Sequence, residues 1–145
     1  MRRRSCFHVF NSSRSFATST TKTLQQVEEK STLFYTLFNK LRWEELSQLL
    51  DEQVELMDMR RGNLVGRRDV ISRLQEIRKN HGSEVWNIVS NQAKTQQPEH
   101  CVSETRLQYI NPKTCVMVSV VTRLSFSSLL LINKIASEKV YEEPV

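Results

Sequence analysis

Few residues in this 145-residue chain have the types and spacing that chemistry needs. Past residue 23 the histidines are His81 and His100 and the cysteines Cys101 and Cys115, with no CxxC or HExxH spacing. A protein metal site is therefore not expected. Gly62, Gly66 and Gly82 are too scattered to form a phosphate-cradling loop, no G-x-S-x-G elbow occurs, and no cofactor is expected. Cys101 and Cys115 flank one turn, but a hairpin centred near Pro112 sets Cys115 opposite roughly Tyr109, so a disulfide is not expected. What is left is one acid, one group of arginines and a set of aromatic and methionine side chains. Asp58 ends a short alternating run. Arg60, Arg61, Arg67 and Arg68 surround the turn that follows it and could dock an acidic partner or a phosphate, or stand as solvated charges answered by Glu44, Glu45, Asp51 or Glu55. Phe34, Tyr35, Trp43, Met57, Trp86 and Tyr109 are candidates to line a pocket, with plain core as the competing reading.

The elements that would position them follow from apolar spacing. Phe34, Leu37, Phe38 and Leu41 fall at i, i+3, i+4 and i+7 and line one helical face, which Leu24 and Val27 extend backwards with Ser31 as the weak member of the stripe. After a corner at residues 41–43, Leu46, Leu49 and Leu50 predict a second helix over Trp43 to Leu50. At Val54 the period shifts toward two, with Val54, Leu56 and Asp58 on one side of a strand and Glu55, Met57 and Met59 on the other. Residues 60–63 read as a turn. Val70, Ile71, Leu74 and Ile77 predict a third helix, with Asp69 in its first turn and Gly82 just beyond its end.

From Ser83 onward the chain reads as sheet. Strands are expected over Glu84 to Ala93, His100 to Ile110, from Thr114 to Phe126, and Ile135 to Glu142, with a turn at Asn133-Lys134. In the third of these, Val116, Val118, Val120, Thr122, Leu124 and Phe126 alternate with Cys115, Met117, Ser119, Val121, Arg123 and Ser125, which argues a sheet packed on helices. Glu104, between Ser103 and Thr105, is expected to face solvent.

Taken in order, a helix ending at Asn39, a short second helix, a strand carrying an acid, and a glycine, acidic residue and aliphatic pair at Gly66, Asp69, Val70 and Ile71 resemble the nuclear transport factor 2-like superfamily. The likeness is to its SnoaL-like and ketosteroid-isomerase-like members and covers about residues 30 to 143. It implies an α+β fold, with three N-terminal helices on a curved, mostly antiparallel sheet that forms a cone with a mouth. It also implies a role for Asp58. In ketosteroid-isomerase-like members the acid ending the first strand is the general base, about nineteen residues after the first-helix Asn, the separation of Asn39 and Asp58 here. A carboxylate in an apolar cone has its pKa raised toward useful values. Those isomerases pair the base with a first-helix Tyr and a protonated Asp on a late strand. By register the Tyr position is Phe34, with Tyr35 turned about 100° around the helix, and no Asp or Glu lies between Glu104 and Glu138.

Residues 1–23 are a different material. They hold Arg2, Arg3, Arg4, Arg14 and Lys22, many Ser and Thr, and no acid. Such composition is expected of a mitochondrial presequence, with cleavage after Phe16 in Arg14-Ser15-Phe16-Ala17-Thr18; a plastid transit peptide or a basic tail are the alternatives. Residues 24–145 then form a single domain. Five of the 21 basic residues lie in the first 23, leaving 16 against 16 acidic ones, so the balance gives no reason to expect nucleic acid. No apolar run is long enough to predict a membrane-spanning helix. The expectation is a mitochondrial matrix domain, non-catalytic, acting as a homodimer or as a subunit of a larger complex. Its signature would be exposed apolar residues such as Met117 and Val121 on the second face of the late strands. The alternative is a small-molecule enzyme of the isomerase, dehydratase, cyclase or epoxide-hydrolase kind, with Asp58 as base and a small apolar ligand in the cone.

Overall fold

The computed structural model describes residues 22–58, 62–80, 86–97, 100–111 and 113–144. Residues 1–21 of the expected presequence, the Phe16 cleavage site among them, and residues Arg60, Arg61, His81 and Gly82 lie outside the described residues, while Lys22 and Thr23 begin the first helix. Helix α1 spans residues 22–39. It buries Val27, Ser31, Phe34, Leu37 and Phe38 of the stripe that its spacing predicts, and Tyr35 beside them, whereas Leu41, expected on the same face, is 55 % exposed because the helix ends there. Ser31 is a full member of that stripe: its hydroxyl donates to the Val27 carbonyl and meets the Ser103 hydroxyl across the core. The helix stops at Leu41, which takes φ 62°. There the Arg42 N–H bonds the Leu37 carbonyl at 2.9 Å and the Leu41 N–H the Phe38 carbonyl at 3.3 Å, a Schellman closure with Leu at the position glycine usually fills.

Helix α2 (Trp43–Ser47) is shorter than its apolar spacing predicts, because strand β1 (Leu50–Asp58) begins at Leu50 rather than at Val54. The acidic and amide residues 51–53 hide that start from a reading based on hydropathy. Strand β2 (Gly62–Val65) corrects the turn expected over residues 60–63: Gly62 and Asn63 are strand residues, pairing with Asp58 and Met57. Gly66, at φ 108°, then turns the chain into α3 (Arg67–Asn80), whose apolar face buries Val70 and Leu74.

Strands β3 (Asn87–Gln97), β4 (His100–Asn111), β5 (Val116–Phe126) and β6 (Ile132–Pro144) complete the sheet. Strand β3 starts later than expected and runs through Gln96-Gln97. Strand β6 starts earlier, so Asn133-Lys134 is strand and not turn. The reversal before it is at residues 127–131, closed by the Ser127 N–H on the Leu131 carbonyl at 2.9 Å. Strand order is β2-β1-β6-β5-β4-β3. The β1–β6 pair is parallel and the other adjacent pairs are antiparallel.

One face of this sheet carries the helices. Val54, Leu56, Leu107, Leu124, Phe126, Ile132 and Ile135 point into that layer and, with the α1 stripe, Leu46, Val70 and Leu74, make the core. The α+β cone expected from the sequence is the fold observed. Cys101 pairs with Phe126 on β5, Cys115 sits in the β4–β5 turn, and both thiols are free.

Candidate functional site

The interior of the cone is built on a cluster of rings. Tyr35 on α1 meets Phe34 edge-on at 5.0 Å and stacks on Trp86 at 6.4 Å. Trp86 lies flat against Tyr109 of β4, 5.6 Å between centroids and 6° between planes, and Phe38 packs on Trp86 at 5.4 Å. Such pairs add to the area they bury. Trp86 is also fixed through its backbone. The Asn39 amide donates to the Trp86 carbonyl at 3.0 Å and its oxygen accepts the Trp86 N–H at 3.1 Å, so one side chain at the end of α1 completes the backbone hydrogen bonding at the start of β3. The mostly buried Arg78 of α3 donates to the Asn39 carbonyl at 3.4 Å, a cation at the C-terminal end of α1 where the helix dipole favours it.

Beside these rings a cavity of about 40 Å³ remains, bounded by Phe34, Tyr35, Phe38, Leu56, Leu74, Ile77, Trp86, Thr122, Ile135 and Ser137. Its polar side belongs to a row that crosses the inner face of the sheet. Asn91, Thr105, Thr122 and Ser137 are register partners on β3, β4, β5 and β6. Thr105 donates to the Asn91 amide oxygen at 3.1 Å, and the Thr122 and Ser137 hydroxyls share a hydrogen bond of 3.1 Å. The Tyr35 hydroxyl is buried, with the Thr122 and Thr105 hydroxyls as its polar neighbours, although neither approach has the geometry of a well-formed hydrogen bond. Burial raises its pKa, and the two threonine hydroxyls offset that only in part.

Of the side chains singled out from sequence, Phe34, Tyr35 and Trp86 line this cavity. Tyr109 backs Trp86, and Trp43 backs Phe38 edge-on at 5.7 Å. Met57 is 40 % exposed and belongs to the opposite face of β1 from Leu56. Asp58 is the last residue of β1, its backbone opposite Gly62; its side chain lies outside the described residues. It follows Met57, whose partner on β6 is Ala136, and Ser137 comes next on that strand. Arg67 is half-buried and donates to the Leu50 carbonyl at 2.9 Å, bracing α3 on β1, while Arg68 is exposed. Phe38, Leu74 and Ile77 were legible as helix stripe and Thr122 as an inward strand position. Ser137 carried no signal in the sequence.

The outer face, which bears no helix, is charged. Arg123 bridges Glu104 at 3.3 Å and Glu138 at 3.5 Å. Glu104 thus lies on the outer face, as expected, and is paired there with Arg123. Val121 on this face is only 5 % exposed, and Met117 is half-buried, so neither is the exposed apolar residue expected there.

The described helices and sheet make a nuclear transport factor 2-like cone. No sequence-family model matches the chain, and no curated protein matches it. Solved structures do match. A Novosphingobium aromaticivorans protein assigned as a scytalone dehydratase superposes with a TM-score of 0.70 at 10 % identity, covering 90 % of this chain and 91 % of that one. A Kribbella flavida protein assigned as a ketosteroid isomerase gives 0.67 at 18 % identity, covering 84 % of each chain. The Orange Carotenoid Protein of Anabaena sp., solved binding canthaxanthin, gives 0.65 at 13 % identity over 77 % of this chain and 35 % of its own. Proteins described as enzymes and a pigment-binding protein thus share this fold, and the fold alone does not choose between them. No described helix is long and apolar enough to cross a membrane.

Proposed function

We propose that this protein is a non-catalytic domain of the mitochondrial matrix that acts as an interaction or assembly module, as a homodimer or as a subunit of a larger complex. The observation that carries this reading is the room left in the cone. Among the described residues, the cavity between the rings measures about 40 Å³, where sites for drug-sized ligands measure roughly 300–1,000 Å³. Among the described residues that bound it, none is a carboxylate, histidine, lysine or cysteine. The arginine-rich, acid-free residues 1–23 support import into mitochondria. The outer face is the surface we assign to a partner. Met57 and Val65 stand exposed at one side of it and Ile110 at the other, with the Arg123 ion pairs between them. The test is the native mass of the endogenous protein in a gentle detergent extract of purified mitochondria. Migration with an assembly well above a dimer supports a subunit role, and a stable dimer supports a homodimeric module. A free monomer, or absence from mitochondria, contradicts the reading.

A second reading is favoured by the position of Asp58. Its backbone ends β1 one step past the Met57–Ala136 register, at the level where Ser137 closes the polar row, and proteins assigned as a dehydratase and an isomerase share the fold. On that reading Asp58 is a general base for a small apolar substrate. Asp58→Asn would then abolish turnover with the fold intact, whereas a variant that supports the protein's cellular role at the wild-type level removes the reading.

A further inference from the structure

A hollow of about 100 Å³ opens on the outer face of the sheet, bounded by Val89, Arg106, Gln108, Ser119 and Val121 among others. Across β4 and β5, Arg106 pairs with Val121 and Gln108 with Ser119, so these four side chains share that face. A regular pleated surface leaves no such space. Two irregularities border it here, the register shift between Ile88 and Ser90 on β3 and the one between Ser119 and Val120 where β5 meets β6. Val89, the residue inside the first shift, is 57 % exposed and forms an apolar wall. Bulges bend a strand and re-aim its side chains, and they are frequent beside functional sites.

The wall of this hollow defines what it can take. Arg106 is exposed, and among the described residues it has no ion-pair partner. Glu104, two residues back on β4, and Glu138, across β5 in the same row, are both held by Arg123, at 3.3 and 3.5 Å. The Gln108 amide donates to the Ser119 hydroxyl at 3.4 Å. Among the described residues that bound the hollow, Arg106 thus supplies the one charge. A single guanidinium matches a single carboxylate, which it can hold through two parallel N–H donors. A phosphate dianion there would keep part of its charge unanswered. Beside the cation lie the side chains of Val89 and Val121, carbon surface for a short aliphatic chain.

We propose that this hollow binds a short-chain aliphatic monocarboxylate, its carboxylate on the Arg106 guanidinium and its carbon chain against Val89 and Val121. The site is complete within one chain and uses no residue of the cone, so the native-mass experiment leaves it standing whatever its result. The test is a titration of the full-length, ¹⁵N-labelled protein at neutral pH with sodium pentanoate. Two controls run beside it: pentan-1-ol, which keeps the chain without the charge, and sodium acetate, which keeps the charge without the chain. The expected result is saturable amide shifts at Arg106, Gln108, Ser119 and Val121, with pentanoate bound about fivefold or more tightly than either control, as one charged contact or a few partly buried methylenes supply. Arg106→Gln brings pentanoate down to the level of pentan-1-ol, and Val89→Ser brings it toward acetate. Both positions are exposed, so the fold tolerates either change. Absence of saturable shifts with pentanoate overturns the proposal. Acetate binding as tightly as pentanoate, the outcome for simple ion pairing with a surface arginine, overturns it too, and so does a preference over pentan-1-ol that survives Arg106→Gln.

Discussion

Two polar rows cross this sheet one residue apart, and they differ most at their centres, where Thr105 and Thr122 are buried and Arg123 is exposed. On the inner face Asn91, Thr105, Thr122 and Ser137 form a neutral row with the Tyr35 hydroxyl above it. On the outer face their neighbours in sequence, Glu104, Arg123 and Glu138, form an ion-pair chain. The same strands carry both, because successive side chains point to opposite faces. Inside, a polar side chain is tolerated where it is uncharged and can bond to its row. Outside, charge costs little because the side chains that bear it keep their heads in water.

Moving a charge from one row to the other is the strongest way to break this comparison. Thr105→Asp puts an unpaired carboxylate where the wild type has a fully buried hydroxyl, and a loss of about 3–5 kcal/mol is expected in urea denaturation at neutral pH. Arg106→Asp, one residue along and exposed, is expected to change stability by no more than about 0.5 kcal/mol. Similar losses at both positions would erase the distinction between the faces.

The Tyr35 hydroxyl sharpens the comparison through pH. Its pKa is raised in the folded protein, so above the ordinary tyrosine value of about 10 the unfolded chain releases this proton while the folded chain keeps it. Stability from this group is therefore complete below about pH 10 and is lost as pH rises above it. Wild type is expected to lose about 1.4 kcal/mol per pH unit more than Tyr35→Phe in that range, measured by denaturant melts of the two proteins side by side. Parallel pH profiles would mean that the hydroxyl ionises as freely as it does in water.

The smallest effect is on the outer row. Arg123→Ala removes both ion pairs of a side chain that is 43 % exposed. The expected cost is about 0–1 kcal/mol and is reduced further at high salt. A cost well above that range, unchanged by salt, would show this face to be more tightly packed than its charges imply.

Sequence reasoning reached the parts of this arrangement that depend on periodicity. The α1 stripe and the alternation of β5 were legible, and with them the inward aim of Thr122. The family likeness supplied the cone and the importance of Asn39, although the reason, a two-way clamp on the Trp86 backbone, required the structure. Where the period was masked by polarity the reading slipped: β1 begins among Leu50, Asp51 and Glu52, and the register shift between Leu50 and Glu55 marks an irregularity that hydropathy does not reveal. Met57 shows how sharp this is, since one step along a strand exchanges the cavity for the outer face. Ser137, between Ala136 and Glu138, becomes meaningful only when β6 is set beside β5. The setting of the Tyr35 hydroxyl against Thr105 and Thr122 depends on two strands and a helix at once, and no local pattern encodes it.

The most direct test of a filled cone is its capacity for a large ligand. Full-length Trp43→Phe protein, in which Trp86 is the sole tryptophan, can be titrated with a rigid polycyclic ketone while Trp86 fluorescence is followed. The account predicts no saturable change, because the rings around Trp86 already occupy the space such a molecule needs. Saturable binding at micromolar concentration, lost in Asp58→Asn or Tyr35→Phe, would contradict it and return the protein to the enzymes whose fold it shares.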